Sequence, residues 1–191
     1  KTKIIAVTHL SNVTGAILPI KKIVDLAKSK KIPVVVDGCQ GAPHLPLDVQ
    51  ELGCDFYAIS CHKMYGPTGV GILYAKKKWT DILPPYQGGG GMIEEVKKES
   101  ITFPKSPTKF EAGTLQTAEV VGFSESIKFI ENIGIKNIME HEKKITKKTK
   151  IIAVTHLSNV TGAILPIKEI TKLAHSKGIA VLVDGCQGAP H

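Results

Sequence analysis

Residues 1–44 and 148–191 are nearly the same text. KTKIIAVTHLSNVTGAILPIK opens both and DGCQGAPH closes both; they differ at positions 22, 24, 25, 28, 31, 33 and 35 and the counterparts 147 residues further on. This constrains the fold more than any other feature. Whatever seat in a sheet the segment fits, it fits twice, and one domain offers that seat once. A solenoid has a shorter period and more copies, so the repeat is one segment met again at the end of a chain. The first copy runs on into LPLDVQELGCDFYAIS, which puts it in the native sheet position. The second is expected to lie loosely, pair with a sheet edge or swap into a neighbour.

Inside the copies, the apolar periods alternate between two and 3.6. Residues 3–10 (KIIAVTHL) read as a buried strand and SNVTG as a loop. Pro19 suits a first helical position, and Ile20, Ile23, Val24 and Ala27 form the stripe of a helix over 19–31. PVVVD is a short, wholly apolar strand of the kind found in parallel sheets covered on both faces. Past the first copy, LDVQELG reads as a short helix stopped by Gly53, DFYAIS and GVGILYA as strands, and 76–83, 118–132 and 134–147 as helices. Alternating strands and helices predict an α/β sheet, mostly parallel, with flanking helices. Ligands in such sheets gather at the carboxyl ends of the strands.

The chain of 191 residues is long enough for one domain with a core. Its hydrophobic and charged fractions, 42% and 22%, suit a soluble protein, and no run reaches membrane-span length. No signal peptide is read at the start, and Cys39, Cys54, Cys61 and Cys186 follow no disulfide or CxxC spacing, so a cytoplasmic location is expected. The net charge of +8 comes from lysine alone, without arginine. The lysines are scattered, and aromatics are only 5%. That is a solvated surface, not a basic–aromatic nucleic-acid face, and neither nucleic acid nor membrane is expected as a partner.

Three strand ends carry reactive groups: the loop of Thr8 to Asn12, Asp37, and Ser60 to Lys63. A lysine at the end of a half-buried strand is a candidate for a lowered pKa and Schiff-base chemistry. An aspartate nearby would keep a pyridine nitrogen protonated. By spacing alone this is one reading; strand-end aspartates are commonly structural. Cys39, His44, Cys54, Cys61 and His62 lack zinc-site spacing, so no metal is expected. QGGGG (87–91) lacks the lysine and helix start of a phosphate loop and reads as a mobile hinge. His9 and His156 read as hydrogen-bonded fold residues.

THLSNVTG, VVVDGCQGAPHLPLDVQELGCDFYAISCHKMYGPTGVGILY, PPYQGGGGMI and KFEAGTLQTAE resemble the class V aminotransferase family, most closely its SufS-type cysteine desulfurases. The resemblance runs from residue 3 to about 147 and again through the second copy. It implies part of the large domain of the type I fold of transferases that use pyridoxal 5′-phosphate (PLP). Residues 1–118 would be the partial cofactor-binding domain, 119–147 a helical segment and 148–191 the second copy. It implies that Lys63 is the catalytic lysine that holds PLP covalently and moves protons at the substrate carbon. Asp37 would partner the pyridine nitrogen, and Gln40 would donate to the ring's phenolic oxygen. Ser60 and His62 would hold the phosphate, Asn12 would lie beside ring and substrate, and Thr114 would reach the neighbouring subunit's cofactor in a homodimer. The implied reaction takes L-cysteine to L-alanine and passes sulfur as persulfide to an acceptor protein for iron–sulfur assembly.

Cys61 stands where the family usually has glycine, Leu115 where it has proline and Lys109 where it has arginine. The family's N-terminal part and C-terminal domain have no counterpart, so the resemblance implies a fragment. That C-terminal domain carries the persulfide-forming cysteine and the arginine for the substrate carboxylate. The chain alone is therefore expected not to turn cysteine over. A non-catalytic partial domain, another class V enzyme and a selenocysteine lyase are the alternatives. The second copy repeats Asn159, Asp184 and Gln187 without a second lysine site.

Overall fold

The computed structural model describes residues 1–143, 149–156 and 164–185. Two compact units form: Lys1–His9 with Pro19–Ile135, and Leu10–Leu18 with Lys136–His191.

The first unit is built on four strands in the order β1 (Ile5–Thr8), β2 (Val34–Asp37), β3 (Phe56–Ser60), β4 (Gly71–Ala75). The first three are parallel, as PVVVD predicted, and β4 returns antiparallel to β3. The first copy of the repeat thus lies beside β3, in the seat expected for it. Helix α1 (Ile20–Ser29) buries Ile20, Val24 and Ala27 and leaves Lys21 and Asp25 as an exposed ion pair. Pro19 stands just before the helix, at the N-cap and not at the first helical position expected, and makes no side-chain capping bond. The central strand hides Val34 and Val36 completely, and β3 hides Tyr57. Two single turns, α2 (Gly41–His44) and α3 (Val49–Leu52), link β2 to β3; Asp48 caps α3 by accepting from Gln50 and Glu51 N–H.

After β4, α4 (Lys77–Ile82) leads to the hairpin β5 (Glu95–Val96) and β6 (Ile101–Thr102), then to α5 (Thr117–Ile133). The QGGGG stretch is not the free hinge expected. Gly113 N–H donates to Gly90 O at 2.8 Å, and Gly89 packs on Ala112 and Gly113 closely enough to leave little room for a side chain. At Gly89 the missing side chain lets the two loops approach, whereas Gly88, Gly90 and Gly91 have open space around them.

The second unit continues from α6 (Ile135–Glu142), which straddles the unit boundary, to β7 (Ile151–Thr155), α7 (Ile167–His175) and β8 (Ala180–Asp184). Here the repeat folds a second time. β7 pairs parallel with β8 in the register of β1 with β2, and His156 N–H donates to Asp184 O as His9 N–H does to Asp37 O. Asn159, Gln187 and Cys186 lie outside the described residues.

One substitution between the copies yields a prediction. α1 ends with Lys31 N–H bonded to Lys28 O and Ile32 N–H to Ala27 O, which forces Lys31 to φ 57°. The counterpart is Gly178 at φ 66°. A side chain there is strained and glycine is not. Lys31→Gly is expected to raise unfolding free energy by about 0.5–1 kcal/mol, measured by urea denaturation.

No helix among the described residues is long and apolar enough to cross a membrane.

Candidate functional site

Parallel pairing sets the site. Thr8 pairs with Asp37 and Asp37 with Ala58, so the carboxyl ends of β1, β2 and β3 finish along one edge. Asp37 is exposed on that edge, and its Oδ1 accepts from Cys39 N–H at 3.0 Å. β3 runs two residues further and turns at Ser60 into a 3₁₀ turn, Cys61–Met64, closed by Tyr65 at φ 61°. Lys63 therefore sits on a turn beyond the strand and is exposed, not half-buried. The strand ends because Ser60 pairs with Gly71, the first residue of β4.

Ser60 Oγ and His62 Nδ1 are 2.9 Å apart. Gln40 is half-buried at the start of α2, which packs against the 3₁₀ turn. Cys39 lies among these groups: its N–H donates to Asp37 Oδ1, and its thiol is near enough to Asp37, Ser60 and Lys63 to be influenced by each. Burial and then Asp37 push that thiol up, against the opposing pull of Lys63 and the Ser60 N–H. The sequence reading passed over Cys39 as a site-lining residue, although DGCQ places it between two implied ring ligands. Burial also raises Cys54 and Cys61, so all three described cysteines stay protonated at neutral pH.

Two implied residues sit on other segments. Thr114 is exposed on the loop held by Gly113 to Gly90. Asn12 is exposed on the Leu10–Leu18 loop of the second unit, where Ser11 Oγ accepts from Val13 and Thr14 N–H.

Beneath the site, His9 Nδ1 and Tyr57 Oη share a hydrogen bond of 2.8 Å, ring edge to ring face. Burial lowers the His9 pKa and, with nearby negative groups, raises that of Tyr57, so both are neutral. His9 is thus the hydrogen-bonded fold residue expected. Cys61 is fully buried, with Gly66 pressed on its sulfur and close to Ser126 of α5. Tyr65 meets Phe129 edge to face at 5.6 Å, so α5 braces the lysine turn from behind. Lys109 reaches Asp81 O at 3.4 Å and lies over the Phe110 ring.

The end of β2 thus carries a carboxylate, and the end of β3 with the turn after it carries hydroxyl, imidazole and lysine; the chain is an α/β protein with polar groups gathered where such sheets bind ligands. The family model for class V aminotransferases matches residues 1–147 and again 140–191. The chain belongs to that family. It is 42% identical over 162 residues to a probable cysteine desulfurase 2 of Mycobacterium leprae, covering 85% of this chain and 38% of that protein. The cysteine desulfurase CsdA of Escherichia coli superposes with a TM-score of 0.69 at 42% identity, over 71% of this chain and 34% of CsdA. A variant of C-DES with glycine covalently linked to its PLP cofactor gives 0.65 at 28% identity, over 73% of this chain and 38% of that one. The chain spans less than half the length of these relatives.

Proposed function

We propose that this chain is the cofactor-holding part of a PLP-dependent cysteine desulfurase. The observation that carries the reading is the gathering of Asp37, Cys39, Ser60, His62 and Lys63 at one sheet edge in a class V chain. The donor set suits PLP: hydroxyl and imidazole for a phosphate, a carboxylate for a ring nitrogen and an exposed amine for an aldehyde. When bound, the cofactor supplies an electron sink for the substrate's α-carbon.

The protein's own residues do the rest. Lys63 Nζ would hold the cofactor and would move a proton at the substrate carbon. Asp37 would favour the protonated form of a ring nitrogen. Gln40 would donate to the phenolic oxygen. Ser60 and His62 hold the phosphate, each orienting the other through their 2.9 Å contact. Thr114 reaches the second subunit's phosphate in a homodimer. Residues 1–118 form the partial cofactor domain, 119–147 lead toward a C-terminal domain, and 148–191 repeat 1–44 by duplication.

The whole enzyme takes L-cysteine to L-alanine in the cytoplasm. It passes persulfide sulfur to an acceptor protein for iron–sulfur assembly, with no nucleic-acid or membrane partner. This chain by itself does not complete that reaction. The chain carries no arginine, the forked donor that would grip the substrate carboxylate.

The test is a visible spectrum with added PLP, then borohydride reduction and peptide mapping. A visible band of a lysine-bound PLP chromophore, with the label on Lys63 and lost in Lys63→Ala, is the expected result. Label spread over surface lysines sinks the reading. Alanine produced from cysteine by the pure chain overturns its second half.

A further inference from the structure

The repeat leaves one surface without the neighbour that its twin has. In the first copy, β2 is central: β1 pairs with one edge and β3 with the other, and Val34 and Val36 are fully buried. In the second copy β8 pairs with β7 alone among the described residues, and its Val183, the counterpart of Val36, is 38% exposed. The notch after the strand tells the same story. A Cβ on Gly38 would fall within the Tyr57 ring, whereas one on Gly185 meets nothing within 4 Å. Among the described residues the second unit keeps the register, the closing hydrogen bond and the glycine, with no counterpart of the strand that carries Tyr57.

We propose that the second β7–α7–β8 unit is an alternative occupant of the place beside β3, exchanging within one chain with β1–α1–β2. The two units share the pairing register that β3 recognises, so the exchange replaces each β2 contact with its β8 counterpart. Because both are tethered to the same β3, the exchange is unimolecular, with an effective concentration in roughly the millimolar range, above that of separate chains at micromolar concentration. Either occupant ends in a carboxylate, Asp37 or Asp184, at the same strand position. The lysine turn therefore keeps an acidic neighbour in both arrangements.

The resident is set by side chains. Val24 is completely buried in the first copy, and its counterpart is Thr171. Burying a hydroxyl there in place of a methyl favours the first copy by roughly tenfold in the equilibrium. Gly178 in place of Lys31 pulls the other way. The first copy prevails, and the second remains within reach.

Disulfide trapping decides it in the full chain. Phe56 pairs with Val35 across the β2–β3 register, and the counterpart of Val35 is Leu182. Oxidation of F56C/L182C followed by peptide mapping should give a minor 56–182 link within single chains. Adding T171V, at a site outside the first unit, should raise its yield about tenfold. F56C/V35C is the control that shows β3 still folded and its geometry permissive. If that control links, three results overturn the proposal: no 56–182 link, a link between chains only, or a yield that T171V leaves unchanged.

Discussion

Gly38→Ala is expected to unfold the first unit or to cost more than about 4 kcal/mol, read as loss of a cooperative thermal transition. The new methyl would occupy the same space as the Tyr57 ring, which has no exposed surface into which to retreat. The ring is held on its other side by the bond of its hydroxyl to His9. Gly41 closes the remaining exit, since a Cβ there would lie 2.8 Å from His9 Nδ1 and 2.9 Å from Tyr57 Oη. The comparison is internal to the molecule: Gly185→Ala, the same change in the second copy, is expected to be nearly neutral because that notch is open. Equal cost at both positions would mean that glycine is needed for its backbone and not for the space it leaves.

The second large effect centres on Asp55, at the opposite end of β3 from the lysine turn. Its carboxylate is buried and fully engaged: Oδ2 accepts from Val34 N–H at 3.1 Å, and Oδ1 from Trp79 Nε1 at 2.8 Å and Lys78 Nζ at 2.9 Å. Burial by itself raises its pKa, but Trp79, Lys78, the Val34 N–H and the charge of Lys76 together outweigh it, so the value falls below the usual 3.8. Asp55→Ala leaves the buried Val34 N–H and the part-buried Trp79 indole N–H without this acceptor and is expected to cost about 2–4 kcal/mol. The sign of the pH effect follows from the depressed value. The native state holds this proton less tightly than the unfolded chain, so the stabilisation is complete above the unfolded pKa of about 4 and is lost as pH falls through the folded value. Urea midpoints between about pH 5 and 2 should fall for the wild type and fall less steeply for Asp55→Asn. Parallel slopes would remove Asp55 from the acid response.

Much of the fold was legible before any coordinates. Val34 to Val36 read as a covered strand, because three consecutive valines leave no polar face for water, and β2 hides Val34 and Val36 and half-buries Val35. Ile20, Val24 and Ala27 recur at helical spacing, and those three are the residues that α1 buries. The site residues were readable in another way, by resemblance to a family; in the fold Asp37 closes β2 and Lys63 lies on the turn after β3. What spacing misjudged was environment. Lys63 followed an apolar run, and only the pairing of Ser60 with Gly71 shows that the strand stops before it and leaves it exposed. The glycines of QGGGG suggested freedom, while at Gly89 the missing side chain serves a close approach of two loops.

The repeat divides the two kinds of knowledge most clearly. Sequence alone determines that 1–44 and 148–191 have the same local structure, because helix periodicity, caps and strand register are carried by neighbours along the chain. Both copies accordingly fold into the same strand–helix–strand unit. Which copy joins β3 is decided only in three dimensions. A buried edge depends on what packs across it, and Val36 and Val183, nearly identical in local context, end up hidden and exposed because Tyr57 stands beside one and not the other.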